Sequence, residues 1–451
     1  MSSSPDTIAA LATPVGTSAI AVIRASGPEV PALAQQIFGD SPPPRISRRA
    51  DYRDVHKQLV DDVLFTFFPA PNSFTGEDSL EVSCHGNPFI AQKILEDLLA
   101  RGCRPAEAGE FSKRAFLNGR MDLSAAEAVM DLIHARSERA LAAANQQLRG
   151  ALGRKVDELI SLLVRVLAQV EAYLDFPDED LPPADRAIML ATLNELLNGT
   201  AQLLATSHYG TLLRDGIKTV ILGEPNAGKS SLLNRLVGRE RALVSPEPGT
   251  TRDYIEERLV VGSHWLRLID TAGLNEFPSA LERRGIAKTM EQADDADLFL
   301  WVIDSTRQIP LLPATFSSRM NPRNSIAVLN KLDLVPAVQG SPPGIAFPCV
   351  KVSALHGEGL DGLVQEIARM AELSRVDTGE ELIAINARHA HALKEAIGGI
   401  ERAMERLGLQ ELNEFVAGDL RATLDAFGQI SGRIDNERVL DQLFASFCIG
   451  K

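Results

Sequence analysis

Residues 217–238, IKTVILGEPNAGKSSLLNRLVG, place two glycines, a lysine and a serine where an apolar strand gives way to an amphipathic helix. In Gly223-x-x-x-x-Gly228-Lys229-Ser230 the glycines let backbone N–H groups converge on phosphate oxygens. Lys229 offers a cation to β- and γ-phosphates, and the Ser230 hydroxyl offers an oxygen to Mg²⁺. The N-terminus of the following helix adds a favourable dipole. Ala227 and Ser231, inside and just after the loop, belong to the same expected contact set. The chemistry such residues can perform is the handling of a nucleoside triphosphate.

Four later segments complete that expectation in chain order. Pro248-Gly249-Thr250-Thr251-Arg252-Asp253 reads as a switch loop, in which Thr251 would complete the Mg²⁺ shell beside a γ-phosphate. Ser245, Pro246 and Glu247 lead into it. LRLIDTAG (266–273) predicts a strand ending in Asp270-Thr271-Ala272-Gly273. Asp270 would hold Mg²⁺ through water, and the Gly273 amide would sense the γ-phosphate. SIAVLNKLDL (325–334) predicts a strand ending in Asn330-Lys331-x-Asp333. A carboxylate there accepts two N–H donors of guanine, a pairing adenine does not offer, so the wrong base leaves a polar group unpaired. In VSALHG (352–357), the backbone of Ser353 and Ala354 would meet the guanine O6.

Together these elements, across 217–370, resemble the GTPases of the Ras-like superfamily, which implies GTP as substrate and Mg²⁺ as its metal. One residue departs from that pattern. Leu274 stands where such proteins carry a catalytic glutamine, and an apolar side chain does not orient the attacking water. Another group must do so. Asn226, within the phosphate loop, either ligates a monovalent cation beside the phosphates or simply caps the loop.

The elements that must position these residues follow from composition and periodicity. The chain has 451 residues, a net charge of -14, 45% hydrophobic residues and 24% charged residues. That is ordinary globular composition, and its acidity disfavours non-specific wrapping of nucleic acid. The basic clusters Arg45, Arg48, Arg49 and Lys113, Arg114, Arg120 read first as solvated surface. Four scattered cysteines, without a C-x-x-C pair, argue against a zinc site or a disulfide scaffold. Neither a secretory leader nor an apolar run of about 20 residues is present, so a soluble, cytoplasmic protein without a membrane partner is expected.

Residues 1–118 alternate short strands with helices, as in SAIAVIRASG (18–27), DVLFTFFPAP (62–71), SLEVSCHG (79–86) and the helical PFIAQKILEDLLARG (88–102). From about 120 the chain turns Ala-, Leu- and Glu-rich and reads as one long helix to Phe176, followed by another to about Ser207. Segment 215–375 alternates strand and helix, as a parallel sheet requires. Segment 376–451 is helical again. The expected fold class is therefore an α/β and all-α multidomain chain. It has an N-terminal α/β domain (1–118) and a helical domain split into 119–214 and 376–451. A Ras-like P-loop domain (215–375) is inserted between those halves.

The flanks sharpen the resemblance. GEPNAGKSSLLN, PGTTRD, DTAG and NKLDL resemble the tRNA-modification GTPase MnmE (TrmE) family. So do DTIAALATPVGTSAIAVIRASG, PNSFTGEDSLEVSCHGNP, RPAEAGEFSKRAFLNGRMDLSAAEAVMDLI and the terminal FCIGK. The resemblance covers essentially the whole chain. It implies an N-terminal domain similar to folate-binding one-carbon domains, with Arg24, Glu81, Arg120 and Lys451 contacting 5-formyl- or methylene-tetrahydrofolate. The family often has lysine in place of Arg120. The resemblance further implies a homodimer and a heterotetramer with a flavin-dependent partner, MnmG (GidA). These would act on the wobble uridine of tRNA. Activation by K⁺ held by Asn226, Ser245, Glu247 and Thr250 is implied as well. Glu282 would take the missing glutamine's part, alongside Lys229 as a catalytic group. Cys448 has either a catalytic or a structural use. A different class, the GTP-dependent assembly factor of the Era or Der type, would share the nucleotide motifs. It would add an RNA-binding module such as a KH G-x-x-G loop, and no such module is found in the sequence.

Overall fold

The computed structural model describes residues 6–39, 43–175, 186–240, 256–270, 296–310, 314–335, 345–373, 383–409 and 413–432, with Phe444, Phe447 and Gly450. The chain divides into two compact units, 1–130 with 428–451, and 131–427.

The first unit is built on a six-stranded sheet of order β3-β4-β5-β2-β1-β6. Its strands are β1 (Ile8–Leu11), β2 (Ile20–Ser26), β3 (Arg48–Arg53), β4 (Leu59–Phe68), β5 (Ser79–His85) and β6 (Arg104–Pro105). All pairs are antiparallel except β1–β6. Alternation decides which side is covered. Ala21, Ile23 and Ala25 of β2 and Leu80, Val82 and Cys84 of β5 are buried against α1 (Val30–Phe38) and α2 (Pro88–Ala100). Residues between them, including Arg24 and its register partner Glu81, fall on the opposite face. Helix α2 starts where its residues require: Asn87 accepts the Phe89 amide, and Pro88 needs no N–H at the first position.

Two polar clusters fasten this unit. Asp97 of α2, 5% exposed, accepts the Tyr52 hydroxyl (2.8 Å), the Val55 amide (2.8 Å) and Arg101 Nε (2.7 Å). Burial, reinforced by the Asp97 charge, pushes the Tyr52 phenol far above its ordinary range. The second cluster joins Arg104 to Asp6 and Glu110, and Arg114 to Asp6, Glu77 and Glu110. The hydrogen bond from Arg104 is the largest influence lowering the Asp6 carboxyl. Burial opposes ionisation of Glu110, but Arg104, the Glu107 amide and Arg114 together hold it low. The expectation of a solvated basic patch therefore fails at Arg114, whose side chain is 12% exposed and ion-paired. Helix α3 (Glu110–Leu117) carries both Glu110 and Arg114 one turn apart.

The chain's last described residues also lie in this unit. Phe444 and Phe447 are buried with Leu123 and Ala126. Gly450 abuts β1 so closely that a Cβ would come 2.3 Å from the Leu11 carbonyl oxygen.

The second unit holds a six-stranded sheet of order β12-β11-β10-β7-β9-β8. Its strands are β7 (Ile217–Leu222), β8 (Glu256–Val261), β9 (His264–Asp270), β10 (Leu298–Asp304), β11 (Ser325–Asn330) and β12 (Cys349–Lys351). Five strands are parallel, as expected. The edge strand β8 is not: it pairs antiparallel with β9 across a tight turn, so the sheet is mixed. A two-residue link is too short for a parallel crossover. Every residue of β10 and β11 is buried, which explains their continuous apolar runs.

Helices α4 (Leu123–His134), α5 (Glu138–Leu148), α6 (Ala151–Asp175), α7 (Arg186–Ala205) and α8 (Ser207–Asp215) precede β7. The single long helix expected from 120 is thus three helices. The breaks have local causes: Ser137 is extended and its hydroxyl caps the Ala140 amide, while Gly150 takes φ +82°. After β7 come α9 (Lys229–Glu240), α10 (Ala314–Ser317), α11 (Leu360–Leu373), α12 (Ala387–Leu409) and α13 (Asn413–Ser431). Helix α7 packs on α6 and α12, so helices from before and after the sheet share one bundle.

Arg214, at the end of α8, donates to the carbonyls of Ala384 (3.1 Å) and Ile385 (2.9 Å) and pairs with Asp131 (2.8 Å). The chain therefore enters the sheet and leaves it at adjacent points. That geometry makes one domain insertable into another.

Candidate nucleotide site

The site forms where β7, β10 and β11 end on the same side of the sheet. Parallel strands deliver their C-terminal loops to one edge, the usual place for a ligand in such sheets. The loop after β7 runs close beneath β10: a Cβ on Gly223 would lie 2.3 Å from the Val302 carbonyl oxygen. Asn226 takes φ +63°, a left-handed conformation that asparagine tolerates better than most residues. Lys229 opens α9 and donates to the loop's own carbonyls, Gly223 O (2.8 Å) and Glu224 O (3.0 Å). Ser230 and Ser231 are exposed in the first turn of α9.

Asn330, 2% exposed at the end of β11, ties three loops together. Its Nδ2 donates to Ala227 O of the phosphate loop (2.8 Å), and its Oδ1 accepts the Ala354 amide (2.9 Å). The Ser353 hydroxyl donates to Asp333 Oδ1 (2.6 Å), which is the chief influence lowering that carboxyl. Asp333 is consequently an anionic acceptor with one oxygen already fixed. Lys331, at φ +67°, reaches back to Asp304 (2.6 Å) at the end of β10. Arg235 of α9 donates to the carbonyls of Ala354 (3.2 Å) and Leu355.

The structure thus brings Asn226, Ala227, Gly228, Lys229, Ser230 and Ser231 together with Asn330, Lys331, Asp333, Ser353 and Ala354. Asp270 closes β9 beside Ile221 of β7, in register with the phosphate-loop strand. Ser245, Pro246, Glu247, Pro248, Gly249, Thr250, Thr251, Thr271, Ala272, Gly273 and Glu282 lie outside the described residues, as do Cys448 and Lys451.

Sequence reading missed Asp304 and Arg235. For Asp304 a signal existed, since a lone carboxylate closes the otherwise apolar LFLWVI of β10. Arg235 carries no such mark.

A second constellation sits on the other face of the first unit's sheet, which Phe74 and Phe111 partly cover. Arg24 donates to Glu81 Oε1 through Nε (2.9 Å) and Nη2 (2.7 Å), and its Nη1 reaches Gly450 O (3.5 Å). Its guanidinium lies 5.4 Å from the Phe74 ring centroid and 5.7 Å from that of Phe111. Arg120 is exposed and lies against Gly76, in the loop that carries Phe74. Burial pushes the thiols of Cys84 and Cys103 up to about 11, which makes them inert at neutral pH. Among the described residues no helix is long and apolar enough to cross a membrane.

Known proteins similar to this chain cover nearly its whole length. The family model for the GTP-binding protein TrmE N-terminus matches residues 7–120, and that for the MnmE helical domain matches residues 123–448. The chain is 58% identical over 447 residues to the tRNA modification GTPase MnmE of Opitutus terrae, covering 99% of each chain. It is 46% identical over 452 residues to the corresponding protein of Akkermansia muciniphila, again covering 99% of each. Among solved structures, the G domain of the T. maritima FeoB iron transporter is 28% identical; the match covers 34% of this chain and 98% of that one, with a TM-score of 0.26. The chain belongs to the MnmE (TrmE) family of tRNA-modification GTPases.

Proposed function

We propose that this chain hydrolyses GTP to drive modification at C5 of the tRNA wobble uridine, acting as a homodimer in a heterotetramer with the flavin-dependent partner MnmG (GidA). The observation that carries the nucleotide part is the Asn330 node. One side chain joins the phosphate loop to the Ala354 amide, beside an ionised Asp333. A triphosphate laid across that node meets a cation at one end and a guanine-selecting carboxylate at the other.

Lys229 is held by two loop carbonyls, bonds it would exchange for phosphate oxygens. Mg²⁺ takes oxygen donors and keeps several waters; the Ser230 hydroxyl, exposed beside the cradle, suits it, and Thr251 would add a second. Asn226, with Ser245, Glu247 and Thr250, would hold K⁺, whose charge would offset that developing on the phosphates. Glu282 would position water in place of the absent glutamine. In the first unit, Arg24, Glu81, Arg120 and Lys451 would hold 5-formyl- or methylene-tetrahydrofolate as the one-carbon source. The bidentate Arg24–Glu81 pair and the adjoining Phe74 and Phe111 rings support that reading, since they offer polar and aromatic surface together. The assignment of the helical halves at 119–214 and 376–451 around 215–375 draws support from the Arg214 clamp.

The test is nucleoside analysis of tRNA from cells lacking this gene, complemented with the wild-type chain or with Lys229→Ala. The C5 group should return only with the wild type; full modification in uncomplemented cells would sink the proposal. Steady-state hydrolysis in K⁺ and in Na⁺ buffer separates the ion reading, which equal rates would remove.

A further inference from the structure

Strand β10 is apolar and buried from Leu298 to Ile303, and then ends in Asp304, 6% exposed. A carboxylate in that position is costly unless it is fully partnered. Its partners are specific. Oδ2 lies 2.6 Å from Lys331 Nζ, and Oδ1 accepts the Thr306 amide (3.0 Å) and hydroxyl (2.6 Å). Arg307 Nε stands farther off, at 3.7 Å. Burial would raise the Asp304 carboxyl, but Lys331 and Thr306 bring it down to about 2. Asp304 is therefore anionic and committed to one lysine.

That lysine sits between the two side chains that define the base site. Asn330 is pinned by its amide and, through its carbonyl, by the Ser305 N–H (3.0 Å). Asp333 is pinned by Ser353. Lys331 occupies left-handed backbone, which a non-glycine residue keeps only when its surroundings dictate it. With Nζ anchored at Asp304, its methylenes must run from the end of β11 to the end of β10. The side chain of Lys331 is thereby held at both ends, in a stretch of backbone flanked by Asn330 and Asp333. The same anchor keeps the ammonium from the phosphates, so Lys229 and Lys331 have separate roles.

We propose that Asp304 is a positioning residue of the guanine pocket, acting through Lys331 to set the surface on which the base rests. This deepens the nucleotide reading above and rests on it.

The experiment is titration of the full chain with fluorescent GDP and a fluorescent non-hydrolysable GTP analogue. Asp304→Asn should raise both dissociation constants by the same factor, about tenfold, the scale of a lost charge-assisted hydrogen bond. Thr306→Val, a milder change that leaves the ion pair, should raise them by about threefold. Lys331→Met keeps the methylenes and removes the charge, so in that background Asp304→Asn should add less than about twofold. An equal penalty in both backgrounds, or a loss confined to the GTP analogue, would overturn the inference. Were the wild type to bind no guanine nucleotide at all, the pocket itself would be refuted and the inference with it.

Discussion

Replacing Gly228 by alanine should abolish measurable GTP turnover while leaving the N-terminal unit folded. The reason is spatial. A Cβ at Gly228 would lie 2.1 Å from Asn330 Nδ2, and the backbone there takes φ +96°. Left-handed backbone alone costs an L-residue about 1–2 kcal/mol. The larger effect is displacement of Asn330, which would release the Ala227 carbonyl and the Ala354 amide together. Each buried group left unpaired costs about 1–3 kcal/mol. At about 1.4 kcal/mol per tenfold, two such losses weaken nucleotide binding by about 30-fold or more. Titration with a fluorescent guanine nucleotide, alongside a turnover assay, measures this. Binding within about threefold of wild type would show that the Asn330 node is not the pocket's keystone.

A second large effect is expected far from any nucleotide chemistry. Asp97→Ala should destabilise the N-terminal unit by about 3–5 kcal/mol, the cost of breaking a buried pair from one side. Arg101 would keep only its bond to the Arg53 carbonyl, and Tyr52 and the Val55 amide would lose their acceptor. Against a total of about 5–15 kcal/mol for a typical domain, that is roughly a fifth of the stability or more. Hydrogen exchange should report it as lost protection in β3 and α2, with a lower urea midpoint. Guanine-nucleotide binding, which draws only on the other unit, is the internal control. Unchanged protection in α2 would mean that hydrophobic packing of Leu98, Ile94 and Ala91 holds the helix without the polar anchor.

What the sequence determined by itself was whatever a few consecutive residues impose on their own backbone. The phosphate loop could be read because strand, glycine-bearing turn and helix follow one another within 217–238. The guanine motif could be read because Asn330, Lys331 and Asp333 leave one strand end together. Helix breaks were a partial exception. Ser137 and Gly150 are ordinary residues in a helical composition, and their capping role appears only with the bends around them.

Tertiary structure decided the pairings between distant side chains. Lys331 meets Asp304 across 27 residues because β10 and β11 pair in parallel register, and Arg235 reaches Leu355 across 120. Arg24 finds Glu81 at a separation of 57 and the Gly450 carbonyl at 426. Arg114 looked like one of three solvated cations and proved to be the centre of a carboxylate cluster. Local spacing fixes dihedral angles, whereas strand order and packing fix which charges share a low-dielectric space. No run of neighbouring residues carries the second kind of information.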